Sequence, residues 1–351
     1  MITPQSFSLE WINAVSRQYK ADRILVEKTI HALSLLEGLA ESSVSFVFKG
    51  GTAMMLMMQA SHRLSIDIDI TVAPQNSDLQ GVLQNIAKNK GFLRYEEQQR
   101  TPISNIPNKH FKFFYSSTVE NKESHILLDV LFETTPYSNL VAIPIANRFL
   151  QMEGPDCQIY VPDVNNLLAD KLTAFAPRTI GIPYSRSGTE CGMEIIKQLY
   201  DIGHLFDRAD DVTSIAATYR RIARQELTYR AGNFTLDDVF HDTIDNALSI
   251  CFRCDYNGTE FSILQKGIKD LISHIYSESF HIEKAILSAA KIAYLASLIH
   301  NQFQSFEKFN SKHLTIIKDW VFLQYEYTKL NKLKKTNHEA FFYLYKALNN
   351  L

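Results

Sequence analysis

Two acids at alternate positions, Asp67 and Asp69 in SIDIDITV, follow the glycine pair Gly50 and Gly51 of KGGTAMMLM. Alternation in the strand period of two puts both carboxylates on one face, with Ile66, Ile68 and Ile70 on the other. Like charges so placed repel, and without a cation or basic partner one of them would hold a proton. Magnesium relieves that cost, because it favours a few hard carboxylate oxygens together with substrate phosphate oxygens. For Asp-x-Asp alone a solvated strand face is the commoner explanation, so the surroundings must decide.

A third acid, Asp129, lies in HILLDVLFE among Leu127, Leu128, Val130 and Leu131. An unpaired ionised carboxylate is expensive there. On a strand beside that of Asp67 and Asp69 it would give three converging carboxylates able to hold two metal ions. Two metals suit in-line displacement at phosphorus, one lowering the pKa of an attacking hydroxyl and the other stabilising leaving pyrophosphate. A strand ending in Gly-Gly before a helix also frees N–H groups, so a phosphate can approach the helix's positive end, although a tight turn accounts for two glycines equally well. The chemistry expected is that of an NTP and Mg²⁺: Asp67, Asp69 and Asp129 as metal ligands, with Gly50, Gly51 and Thr52 around the phosphates.

The elements that must position these residues follow from periodicity. FSLEWINAVSRQY and ADRILVEKTIHALSLLEGLA have helical spacing, VSFVFKGG is a short strand stopping at the glycines, and Thr52 to Gln59 is a helix. Further strands are expected at Lys109–Ser116, His125–Glu133, VAIPIA and CQIYVP, with Gly91 to Pro107 mainly loop. From Asp163 onward strand signals nearly vanish, and helical patterns run through SILQKGIKDLISHIYS, HIEKAILSAAKIAYLASLIHNQF and KHLTIIKDWVFLQYEYTKL. The expected organisation is an α/β domain over 1–206 and a helical bundle over 207–351.

A chain of 351 residues with 46% hydrophobic and 21% charged residues suits two ordinary globular domains. Lys plus Arg total 36 against 38 Asp plus Glu, which argues against an overall electrostatic grip on nucleic acid. Locally, TYRRIARQELTYR interleaves Arg220, Arg221, Arg224 and Arg230 with Tyr219 and Tyr229; it suits an RNA backbone, and a solvated face diluted by Glu226, Asp210 and Asp211 equally. The single Cys251-x-x-Cys254 lies in apolar ALSICFRC and suggests buried thiols in a reducing cytoplasm rather than zinc. No signal peptide or membrane span is expected, which makes the protein soluble and cytoplasmic.

Two later segments carry chemistry more quietly. In LLADKLTAFAPR, Lys171 stands among apolar neighbours on a helix with Arg178 near the same face. Such a lysine is ordinarily solvated; beside an acidic metal site it would instead pair with a triphosphate. In EIIKQLYDIGHLF, Glu194, Lys197, Asp201 and His204 form one stripe and Ile195, Leu199, Ile202 and Phe206 another, so Lys197 and Asp201 also suit a simple i, i+4 ion pair.

FVFKGGTAMMLMMQASHRLSIDIDI resembles the first motif of the AbiEii family of nucleotidyltransferases, the toxin half of bacterial abortive-infection toxin–antitoxin pairs. Its Lys-Gly-Gly-Thr-Ala start corresponds to Lys49–Ala53, its Arg-x-Ser to Arg63 and Ser65, and its Asp-x-Asp to Asp67 and Asp69. The family's Asp-Lys-Leu-x-Ala helix, following Arg and Lys-Asp-x-x-Asp helix match Asp170–Leu172, Ala174, Arg178, Lys197 and Asp201. Gln198 departs from the pattern by standing where the family usually has the first Asp, and TIGIPYSRSGTECGME is a longer insertion, a candidate flap.

The resemblance covers roughly residues 40 to 206 and implies a polymerase-β-like fold with a mixed sheet flanked by helices. It implies nucleotide-binding roles for Lys49, Arg63 and Ser65, and catalytic roles for Lys171 and Asp201. The expected activity moves a nucleoside monophosphate from an NTP to an acceptor hydroxyl. By resemblance that acceptor is RNA, at the 3′ end of tRNA, and a cognate antitoxin is the expected partner. The competing readings are a nucleotide- or partner-binding module with little transferase activity, kept open by Gln198, and transfer to a protein or small-molecule hydroxyl.

Overall fold

The structure, a computed structural model, describes residues 1–58, 62–74, 79–98, 106–230 and 232–349. By its internal contacts the chain divides into two compact units, Met1–Asp163 with Ser273–Ser279, and Val164–Ile272 with Phe280–Leu351.

The first unit opens with helices α1 (Leu9–Tyr19) and α2 (Arg23–Ala40), whose first-turn N–H groups are capped by the side chains of Ser8 and Asp22. Next come β1 (Phe46–Lys49), α3 (Gly50–Met57), β2 (Ile68–Val72), α4 (Gln80–Asn89), β3 (Arg94–Gln98), β4 (Asn108–Ser116) and β5 (Glu123–Phe132). A two-stranded sheet of β6 (Leu140–Pro144) and β7 (Gln158–Pro162) follows. The main sheet has the order β1-β2-β5-β4-β3, with β2 and β5 parallel and the other pairs antiparallel. It is the mixed sheet with helices that the resemblance implies.

Strand alternation builds the core on one face. Phe48, Ile68, Ile70, Phe111, Phe113, Ile126, Leu128 and Val130 are buried there with Val26, Ile30, Leu33, Leu83 and Ile86 of α2 and α4. The intervening strand positions, Lys49, Asp69, His110 and Asp129 among them, belong to the opposite face.

Three local expectations change. A strand, β3, occupies part of the loop expected between Gly91 and Pro107. It is an edge strand of largely exposed RYEEQ, held by its ladder to β4 rather than by a buried stripe, so it carries no hydrophobic alternation. Residues 99–105 lie outside the described residues. The helix expected at Thr52–Gln59 starts two residues earlier, at Gly50, and Gln59 is likewise outside the description. The helix expected through Ser277 stops at Leu271, because the following segment pairs with the chain before β2: Leu64 N–H donates to His274 O and Tyr276 N–H to His62 O, both at 2.8 Å.

The second unit is helical, comprising α5 (Val164–Thr173), a hairpin of β8 (Ser185–Arg186) and β9 (Thr189–Glu190), then α6 (Gly192–Arg208), α7 (Val212–Tyr229), α8 (Leu236–Phe252), α9 (Phe261–Leu271) and α10 (Ile282–His300). It ends with α11 (His313–Ile316), α12 (Leu333–Thr336) and α13 (His338–Asn349). The boundary expected at 206/207 falls inside α6, whereas contacts divide the chain at Asp163. The reason is that α5 and α6 pack on α7, α9 and α10.

KHLTIIKDWVFLQYEYTKL, expected as one long helix, is helical only over His313–Ile316, with a 3₁₀ segment at Tyr325–Lys332. Between them Phe322 N–H donates to Asn331 Oδ1 at 2.9 Å and Asn331 Nδ2 donates to Phe322 O at 3.0 Å, so a side-chain amide satisfies backbone groups that a helix would have paired. Among the described residues no helix is long and apolar enough to cross a membrane.

Candidate active site

The parallel register of β2 and β5 makes Asp69 and Asp129 direct neighbours, on the sheet face away from the core. Antiparallel pairing on either side adds Lys49 of β1 opposite Asp69 and His110 of β4 opposite Asp129. One row across four strands therefore reads Lys49, Asp69, Asp129, His110, with two acids flanked by two basic residues. Side by side, the carboxylates repel unless positive charge lies between or beside them. At one end of the row His110 Nδ1 lies 2.6 Å from Asp129 Oδ1.

The glycines are explained by what lies against them. Gly50 has φ +79°, and a Cβ there would meet Asp69 Oδ2 at 2.0 Å. A Cβ on Gly51 would meet Arg63 Nη2 at 2.5 Å and Ser65 Oγ at 2.7 Å. Both Gly-Gly and Arg-x-Ser thus belong to one close approach at the first turn of α3. Arg63 is buried, and its Nη1 donates to Leu64 O at 3.2 Å.

Thr52 is fully buried and donates its hydroxyl to Asp67 O at 2.6 Å, tying the first turn of α3 to the residue just ahead of β2. Asp67 therefore precedes the strand on which sequence periodicity places it, and its backbone is fixed by Thr52. Near Lys49, burial pushes the Glu133 carboxyl above its usual range, while the lysine ammonium pulls it down.

Among the described residues no three His, Cys, Asp or Glu side chains form a ready metal site. The donor set the sheet does bring together, two carboxylates on one face beside the glycine turn, fits a hard divalent cation whose remaining positions are filled by substrate oxygens.

In the second unit, Lys171 Nζ and Asp201 Oδ2 form an ion pair at 3.0 Å between α5 and α6, with 7% and 0% of their side chains exposed. The ordinary alternative for Lys171, a solvated surface position, does not apply. Arg178 is also committed: its Nε donates to Asp242 Oδ1 at 2.9 Å and its Nη2 to Asp245 Oδ2 at 2.7 Å, clamping the segment after α5 to α8. Burial raises the pKa of the Asp242 carboxyl and Arg178 opposes the rise.

The basic stretch on α7 is partly spent on structure, since Arg220 donates to Ile299 O and Arg230 to Ile180 O, each at 2.6 Å. Cys251 is buried, as expected, whereas Cys254 is exposed; both are free thiols.

His110 is the site residue that sequence periodicity did not single out. Its strand, NKHFKFFYS, puts His110, Lys112 and Phe114 on one face and Phe111, Phe113 and Tyr115 on the other. Which acid that face meets depends on pairing with β5, a long-range fact.

A family model described as nucleotidyl transferase AbiEii toxin, type IV TA system, matches residues 34–257. Among solved structures, the nucleotidyltransferase toxin MenT4 of Mycobacterium tuberculosis H37Rv aligns with TM-score 0.50 and 11% identity, over 95% of this chain and 98% of its own. JHP933 from Helicobacter pylori aligns with TM-score 0.41 and 12% identity, over 86% of this chain and 94% of its own. No curated protein matches the sequence. At 11% identity the likeness to MenT4 is one of fold alone.

Proposed function

This chain belongs to the AbiEii family of nucleotidyltransferase toxins of type IV toxin–antitoxin systems, and on that premise we propose that it transfers a nucleoside monophosphate from an NTP to an acceptor hydroxyl. The acceptor oxygen attacks the α-phosphorus, the bond to the bridging oxygen breaks, and pyrophosphate leaves. The observation that carries this reading is the in-register pair Asp69 and Asp129 beside a glycine turn that opens a helix.

Asp69 and Asp129 would hold Mg²⁺ from the sheet face, with Asp67, at the head of β2, proposed as a further ligand. When bound, the cation supplies positive charge to the attacking and leaving oxygens. Gly50 and Gly51 keep side chains away from the first turn of α3, so its N–H groups donate to a phosphate. Arg63 and Ser65 shape that turn from below, Thr52 fixes it to Asp67, and Lys49 adds positive charge at the row's edge. The role proposed for Lys171, neutralising the triphosphate, rests on the motif it matches, with Asp201 holding its ammonium. The acceptor proposed is RNA, at the 3′ end of tRNA, and the partner proposed is a cognate antitoxin.

The test is incubation of the purified protein and its Asp67→Asn and Asp69→Asn variants with Mg²⁺, each radiolabelled NTP, and total bacterial RNA and protein. A labelled RNA band that both variants lose is the expected result, and it names base and acceptor together. Label on protein or a small molecule would replace RNA as acceptor. Full labelling by the variants would refute the assignment of the acids.

A further inference from the structure

We propose that His110 is the positioning residue for Asp129, and that by holding this carboxylate it sets the site's affinity for a divalent cation. The inference rests on the proposed role of Asp129 as a ligand.

The geometry begins in the sheet. β4 and β5 pair antiparallel from Asn108–Leu131 to Ser116–Glu123, and within that ladder His110 lies directly opposite Asp129. A continuous ladder fixes both Cα positions. The contact at 2.6 Å is therefore a product of register, with only the side-chain torsions left to set. An ionised carboxylate only accepts hydrogen bonds, so the imidazole must donate from Nδ1.

Asp129 faces a second acid on its other side, Asp69. The terminal torsion of an aspartate is broad, and a like charge next door favours turning the carboxylate away. A donor at Oδ1 opposes that turn. Among the described residues His110 is the only group bonded to the Asp129 carboxylate, so Oδ2 is left available to a cation. His110 is also the less exposed partner, 15% against 34% for Asp129. It is thus the better-anchored of the two. Partners of this kind, which orient a ligating carboxylate without touching the metal, typically change metal affinity by roughly 10- to 100-fold when removed.

The experiment titrates the purified full chain with Mn²⁺ in the absence of nucleotide, following free Mn²⁺ by electron paramagnetic resonance. The proteins are the wild type, Asp129→Asn, His110→Phe and His110→Asn, each with a thermal melt. We expect Asp129→Asn to lose binding and His110→Phe to weaken it roughly 10- to 100-fold. His110→Asn keeps a donor near the Nδ1 position, so its affinity should stay within about threefold of wild type. If His110→Phe binds Mn²⁺ as the wild type does while Asp129→Asn does not, the inference about His110 fails and the site stands. A natively folded His110→Asn as weak as His110→Phe also overturns it, since the donor would then be irrelevant. Wild-type affinity in Asp129→Asn sinks instead the assignment of Asp129 itself.

Discussion

Gly50 lies so close to the carboxylate of Asp69 that a Cβ on the glycine would stand 2.0 Å from Oδ2. The glycine also has φ +79°, a left-handed conformation that costs an L-residue about 1–2 kcal/mol. Gly50→Ala therefore adds a strained backbone to a steric clash and displaces Asp69. Activity should fall by about 100-fold, the scale of an ångström-sized misplacement of a reacting group. A thermal melt run alongside the label-transfer assay separates that loss from unfolding, because a melt lowered by only a few degrees leaves displacement as the cause.

Asp69→Asn and Asp129→Asn should each lower transfer by about 100-fold or more, in line with removal of one preorganised electrostatic group. Their stability should be unchanged or higher in the absence of metal, since each variant removes one of two like charges placed side by side. Urea denaturation with and without Mg²⁺ checks both halves. A large destabilisation in the metal-free variants would show the acids to be structural.

Lys171 and Asp201 are predicted to behave as a unit. Breaking a buried ion pair from one side typically costs about 3–5 kcal/mol, whereas replacing both partners with apolar residues is far milder. Lys171→Met should therefore destabilise strongly and Lys171→Met with Asp201→Leu should recover much of that stability. If the pair also serves catalysis, the stable double variant remains inactive. Recovery of activity with stability would make its role purely structural.

His31 gives the chain a pH signature away from the site. It stacks on Tyr115 with ring centroids 3.6 Å apart, and burial lowers its pKa from 6.5 to about 3. The folded protein then binds fewer protons than the unfolded chain below pH 6.5, so stability is complete above that value and is lost as pH falls toward 3. On that basis the loss at pH 5 is on the order of 1 kcal/mol for this incompletely buried ring. Melting temperatures between pH 7.5 and 5 should fall for the wild type and fall less for His31→Phe; parallel curves would contradict the assignment.

Much of the fold could be read from local pattern. The alternation in SIDIDITV and the apolar run of HILLDVLFE located β2 and β5, and the glycine pair marked the strand-to-helix turn. Reading stopped where structure depends on distant partners. β3 has an exposed, charged sequence and exists through its ladder to β4. The segment after Leu271 looks helical, yet it pairs with residues 62–64. Long helicity after His313 is broken where Asn331 takes over the backbone bonds of Phe322.

For the site itself, sequence determined which residue types are available. Two acids two positions apart and a glycine pair before a helix supply hard oxygens and bare backbone, which are properties of the residues themselves, and it is the resemblance to the AbiEii family, Arg-x-Ser included, that marks them as a nucleotidyltransferase motif. Only the tertiary structure decided which acids become neighbours and what steadies them. Register between β2 and β5 joins Asp69 to Asp129, register between β4 and β5 brings His110 to Asp129, and packing of α5 on α6 buries Lys171 against Asp201. Strand register and helix packing are settled by the burial of a whole face or stripe, a property of many residues at once that no short motif contains.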